Sequence, residues 1–79
     1  TSVPLKELRG KLLILSKNYF FDQARTVPET VNELRERGWI ASPLDVSKTL
    51  SKMAFNKELL KNNQGKRSYY IVKEALLAN

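Results

Sequence analysis

The residues with the clearest chemistry are lysines and serines in one short amphipathic run, VSKTLSKM at residues 46–53. At about 100° per residue, a helix here has a narrow apolar stripe, and four polar side chains lie on or beside its outward face: Ser47, Lys48, Ser51 and Lys52. Serine can approach base edges or phosphates closely, and lysine neutralises phosphate or reaches guanine acceptors. The run is therefore compatible with nucleic-acid binding, but a solvated helix face shows the same residue types.

The chain has few residues suited to catalysis or metal binding, because it contains no histidine and no cysteine. Serine-histidine triads, cysteine nucleophiles and zinc sites built on His or Cys are therefore excluded within the chain. The glutamates at 29, 33 and 36 share one helix face, but such a row is usually solvated, and Glu33 has the spacing for an ion pair with Arg37. We expect no enzymatic activity, no metal site and no cofactor.

The charge is strongly positive and unevenly distributed. The net charge of the 79 residues is +6, and residues 42–68 alone carry six cations and two acids. This excess favours an anionic partner. No apolar run approaches the roughly 20 residues of a membrane span, and no signal peptide is visible. We expect one domain over residues 1–79, intracellular and cytoplasmic, and an origin within a longer protein stays open.

The element that must hold the first half of the core is a helix predicted over residues 4–18, with Pro4 in its first turn. Its expected core stripe is Leu5, Leu8, Leu12, Leu15 and Tyr19. The spacing of Thr26 and Glu29 predicts a capping box for a second helix over residues 28–37, which Gly38 should end in the left-handed conformation. Trp39 and Ile40 are expected to return the chain to the core.

The serine-lysine run belongs to a third helix, with Ser42 as N-cap and Pro43 as its first residue. Val46, Leu50 and Met53 should face inward, and Asn56 is expected to end the helix in the left-handed conformation. Residues 58–62 and 67–73 are predicted as strands joined by a loop over residues 63–66, with glycine where a positive φ is needed.

Three stretches resemble small prokaryotic winged helix-turn-helix domains. FFDQARTVPETVNELRERGW is similar to their second-helix region, VSKTLSKM to their recognition helix, and ELLKNNQGKRSYYIV to their wing. The resemblance implies an α+β, mainly α fold, with three helices and a two- to three-stranded antiparallel β-wing that includes a very short strand near Arg25. The chain departs from the pattern between the third helix and the wing, where residues 55–58 form a longer link without glycine.

The same resemblance implies binding of double-stranded DNA, within a transcription regulator. The third helix would enter the major groove, and the wing would follow the phosphate backbone or enter the minor groove. The start of the second helix would lie near a phosphate. The residues implicated are Arg25, Thr26, Ser47, Lys48, Ser51, Lys52, Lys61, Lys66 and Arg67. For Arg25 and Thr26 the alternative is a helix cap with an exposed arginine. For Lys61, Lys66 and Arg67 the alternative is a hairpin loop whose charges only keep it soluble.

Winged helices also serve as protein-interaction modules, and that alternative stays open. Phe55 projects outward from the third helix, and Leu13 and Ile14 lie off the core stripe of the first helix. We expect either the apolar tail at residues 74–79 or a second subunit to cover Leu13 and Ile14. Lys6 and Lys17, on the first helix, are expected to lie away from any bound DNA.

Overall fold

The computed structural model describes residues 2–73 and shows a mainly helical α+β chain. Within these residues, three α-helices precede one antiparallel hairpin, and a 3₁₀ turn at Phe20–Asp22 separates the first two helices. The elements are α1 (Leu5–Lys17), α2 (Val27–Glu36), α3 (Pro43–Phe55), β1 (Leu60–Gln64) and β2 (Arg67–Ile71). The predicted fold class is confirmed, and the arrangement is compatible with the winged-helix layout. None of these helices is both long and apolar enough to span a membrane.

The predicted caps at the starts of α2 and α3 are confirmed, although α2 begins at Val27, one residue before its predicted start. At α2, the Thr26 hydroxyl accepts a hydrogen bond from the Glu29 N–H, and the Glu29 carboxylate accepts one from the Thr26 N–H. At α3, the Ser42 hydroxyl accepts a hydrogen bond from the Asp45 N–H. These side chains satisfy N–H groups that have no partner inside the helix, and the start of each helix is fixed by them.

Both α2 and α3 end in the same backbone motif, but with different residues at the left-handed position. Gly38 (φ 84°) ends α2 as predicted, whereas Lys57 (φ 63°) takes that position after α3. The prediction for Asn56 is wrong, because its φ is −84° and its N–H still donates to the Lys52 carbonyl within the helical ladder. The Glu58 N–H then donates to the Met53 carbonyl at 2.8 Å, which closes a Schellman motif. A lysine thus makes the turn in the link that lacks glycine.

The hydrophobic core draws on all three helices and on β2. Its buried members are Val3, Leu8, Leu12, Leu15, Phe21, Val31, Leu34, Ala41, Val46, Leu50, Met53, Leu59 and Tyr70. Leu13, Val27 and Trp39 are partly buried against it. The third-helix stripe and most of the first-helix stripe are therefore confirmed.

Three residues predicted to be in the core are exposed. Leu5 (47% exposed) is the first residue of α1 and lines a cleft between α1 and α3. Tyr19 (74% exposed) lies two residues beyond the end of α1 and has φ 68°, and the helical period no longer sets its direction. Ile40 (47% exposed) contributes its backbone, since its carbonyl accepts from the Val3 N–H.

The hairpin is tighter than predicted, because β1 begins and ends two residues later than expected. Gln64 pairs with Arg67, so the turn consists of Gly65 (φ 63°) and Lys66 alone. The expected short strand is confirmed as a single bridge, in which Arg25 and Tyr70 exchange N–H···O bonds of 2.9 and 2.8 Å. The tail at residues 74–79, expected to cover the back of α1, lies outside the described residues.

Candidate nucleic-acid interface

The outward face of α3 carries the polar residues that its sequence predicts. Lys48, Ser51 and Lys52 are exposed and Ser47 is half-buried, whereas the opposite face of the helix is buried. Its outermost apolar residue is Phe55, which is 86% exposed. Sequence reasoning missed Leu44, which is 64% exposed and lies one helical turn before Lys48 on the same face. Its position two helical turns before Ser51 places Leu44 on the outward face, and this spacing could have revealed it.

A cleft of about 760 Å³, the wing cleft, opens between the start of α2, the face of α3 and the hairpin. Its lining includes six of the nine residues predicted to bind DNA, which are Thr26, Ser47, Ser51, Lys61, Lys66 and Arg67. The fold therefore brings together residues that are up to 41 positions apart in the chain. The lining contains three cations against one acid, Glu29.

The two lysines of α3 lie on the other side of the helix. Lys48 and Lys52 line a second cleft of about 620 Å³, the α1–α3 groove, where they are joined by Lys6 and Arg9 from α1. The serines and lysines of one helix thus face different clefts. Lys6, which was expected to lie away from the interface, is a neighbour of Lys48 and Lys52 on this surface.

Arg25 is engaged within the fold. Its Nε donates to the Phe20 carbonyl at 2.8 Å, and its guanidinium lies 4.5 Å from the centroid of the Phe20 ring. Its Nη1 lies 3.8 Å from Oε2 of Glu29. These contacts join the 3₁₀ turn to the start of α2, and the side chain is held partly buried rather than freely exposed.

The capping box places a carboxylate at the N-terminus of α2. Hydrogen bonds from Thr26, the backbone N–H above all, lower the pKa of Glu29, and the Arg25 and Arg67 cations act in the same direction. The Thr26 side chain is buried, and its hydroxyl also donates to the Glu29 carboxylate at 3.0 Å. Free N–H groups at a helix start favour an anion, but here a negative side chain already occupies that position. Thr26 and Glu29 therefore act first as a helix cap.

Further contacts set the shape of the two clefts. Ser51 Oγ lies 3.4 Å from the hydroxyl of Tyr70, which links α3 to β2 at the back of the wing cleft. Ser68 Oγ donates to Oδ1 of Asn63 across the hairpin at 2.8 Å. At the α1–α3 groove, Arg9 donates to the carboxylate of Glu58, and this hydrogen bond lowers the pKa of Glu58 and raises that of Arg9. Arg9 and Glu58 are 49 positions apart, and no local sequence pattern indicates the pair.

The two clefts give α3 cationic surfaces on both flanks. Lys61, Lys66 and Arg67 lie on the wing side, and the α1–α3 groove carries four further cations. No group of three or more potential metal-ligating side chains occurs within residues 2–73. The residues present can bind an anion or a polyanion by charge and hydrogen bonding.

Comparison with known proteins adds no assignment, since no protein-family model, curated protein or solved structure matches the chain.

Proposed function

We propose that this chain is a DNA-binding winged-helix domain of a transcription regulator. The third helix would enter the major groove of duplex DNA, and the wing would follow the phosphate backbone or the adjacent minor groove. The observation that carries the proposal is the position of the cations, which lie on both flanks of the exposed face of α3. A B-DNA major groove about 12 Å wide admits one α-helix and presents phosphates along both of its edges.

Within this proposal, Ser47 and Ser51 of α3 approach the base edges, and the cations bind phosphate. Lys66 and Arg67 at the hairpin turn are exposed and sit beyond the helix on one side. Lys48 and Lys52 are exposed on the other side. Arg25 and Thr26 hold the start of α2 in place and are assigned a positioning role.

Titration of a fluorescently labelled duplex of about 20 base pairs tests the proposal. Four phosphate contacts predict a slope of log K against log[salt] of about −3 to −4. Affinity should therefore fall about a hundredfold between about 50 and 200 mM salt. A single domain that does not read sequence should bind with Kd of roughly 10⁻⁴ to 10⁻⁶ M. Absence of duplex binding even at the lower salt concentration would refute the proposal.

A protein-interaction module, including a homodimer, is the second candidate, and one observation favours it. Leu44 and Phe55 expose apolar side chains at the two ends of the face of α3. If this face joins two copies of the chain, sedimentation at about 100 µM should show dimers, and Phe55→Ser should return the protein to monomers. A monomeric wild-type protein under these conditions would remove the homodimer.

A further inference from the structure

We propose that the α1–α3 groove is a docking site for an acidic, amphipathic segment of a partner protein. The segment would place one or two large apolar side chains on the groove floor and carboxylates beside the lysines at its rim. The proposal rests on the groove itself and does not require DNA binding at the wing cleft. At Lys48 and Lys52 it competes with the phosphate contacts proposed above, because both lysines line the groove.

The floor of the groove is apolar. Pro4, Leu5 and Met53 contribute to its lining, between the first turn of α1 and the last turns of α3. Leu5 is 47% exposed although it begins the apolar stripe of α1, and Met53 is fully buried beneath the surface. A phosphate backbone offers nothing that complements the exposed Pro4 and Leu5 side chains, whereas an apolar side chain would cover them.

The rim of the groove is cationic. Arg9 is bound by Glu58, but Lys6, Lys48 and Lys52 have no carboxylate partner within residues 2–73. Lysine can lay its aliphatic stem along an apolar surface and keep its ammonium in water. Three such ammonium groups around one apolar floor complement a ligand that has carboxylates on both sides of an apolar residue. Charge complementarity therefore indicates an acidic partner.

The size of the groove fits side chains from a short segment. Its volume of about 620 Å³ lies within the 300–1,000 Å³ typical of ligand-binding clefts. Two helices form its walls, which is the geometry in which proteins bind an amphipathic helix by its apolar face. Duplex DNA is the competing occupant, because the same lysines could reach phosphate, and the experiment separates the two.

The probe is a fluorescently labelled synthetic peptide of about 15 residues, with leucines at helical spacing and glutamate or aspartate at most other positions. A scrambled peptide of the same composition is its control. Leu5→Ala should weaken binding of the designed peptide about fivefold, since part of the Leu5 side chain is covered on binding. Lys6→Glu should weaken it about tenfold, and Lys66→Glu, with the same charge change in the wing cleft, less than twofold.

Each variant is also titrated with the labelled duplex, which separates this proposal from that of DNA binding. Leu5→Ala should leave duplex affinity unchanged, whether that affinity is measurable or absent. Equal losses of peptide affinity in Lys6→Glu and Lys66→Glu would show diffuse attraction and overturn the proposal. Equal affinity for the designed and scrambled peptides, or no binding at about 1 mM, would also overturn it. A Lys6→Glu loss for duplex with no Leu5→Ala effect on peptide would assign the groove to the DNA interface.

Discussion

Exchanging the residues at the left-handed ends of α2 and α3 should change stability in opposite directions. Gly38 and Lys57 close the same Schellman motif, with φ of 84° and 63°. A residue with a Cβ loses roughly 1–2 kcal/mol in this conformation, and glycine loses about 0.5–1 kcal/mol more chain entropy on folding. Lys57→Gly should therefore stabilise the domain by about 0.5–1 kcal/mol, and Gly38→Lys should destabilise it by a similar amount.

The magnitude should reflect the backbone alone. A Cβ added at Gly38 meets nothing within 4 Å, and the Lys57 side chain is exposed. For a domain of this size, 1 kcal/mol corresponds to about 4–8 °C in Tm, and each exchange should move Tm by about 3–6 °C. Thermal and urea unfolding followed by circular dichroism measure both changes.

Lys57→Ala is the control, because it removes the charge but keeps the Cβ. Its Tm should stay within about 2 °C of the wild-type value. The reasoning fails if Lys57→Gly lowers Tm, or if Lys57→Ala raises it as much as Lys57→Gly does. In the second case, relief of charge repulsion rather than backbone conformation would explain the gain.

Three further predictions concern the cap, the exposed face of α3 and pH. Thr26→Ala should destabilise the domain by about 2 kcal/mol, from the lost cap and a buried methyl group, and Thr26→Ser by about half as much, in urea unfolding. Phe55→Ser should change the free energy of unfolding by less than about 0.5 kcal/mol, since the ring is 86% exposed. The lowered pKa values of Glu29 and Glu58 stabilise the fold above their ordinary value of 4.5, and this contribution is lost as pH falls through the folded values. Glu29→Gln/Glu58→Gln should therefore lose less stability than the wild type between about pH 6 and pH 3.

Local patterns predicted the elements well because their signals lie within a few residues. The capping box at Thr26, the glycine after α2 and the apolar stripe of α3 are read from spacings of three or four positions. The same logic failed at Tyr19 and Asn56. The first helix ends one residue before its predicted end, and the left-handed residue after α3 lies one position later than predicted. At such ends the choice depends on which carbonyl each N–H reaches, and residue types do not fix this.

The candidate site was predicted only in part because it is assembled from distant segments. The composition of α3 indicated its outward residues, but not that Lys48 and Ser51 face separate clefts. Neither the proximity of Lys6 to Lys52 nor the pairing of Arg9 with Glu58 has a local signal, since each depends on how α1 crosses α3 and where the chain leaves that helix. The angle between α1 and α3 and the turn at Lys57 determine which of these residues are neighbours.

The salt dependence of duplex binding in two matched double variants tests the central proposal most directly. Lys48→Ala/Lys52→Ala removes two cations from α3, and Lys11→Ala/Lys17→Ala removes two from parts of α1 that line neither cleft. Lys6 is unsuitable as a control because it lies in the groove with Lys48 and Lys52. If α3 binds DNA, the first variant should bind more weakly and its slope should be flatter by about two units, while the second should match the wild type. Equal losses of affinity and slope in both variants would contradict the proposal, because binding would then depend on net charge alone.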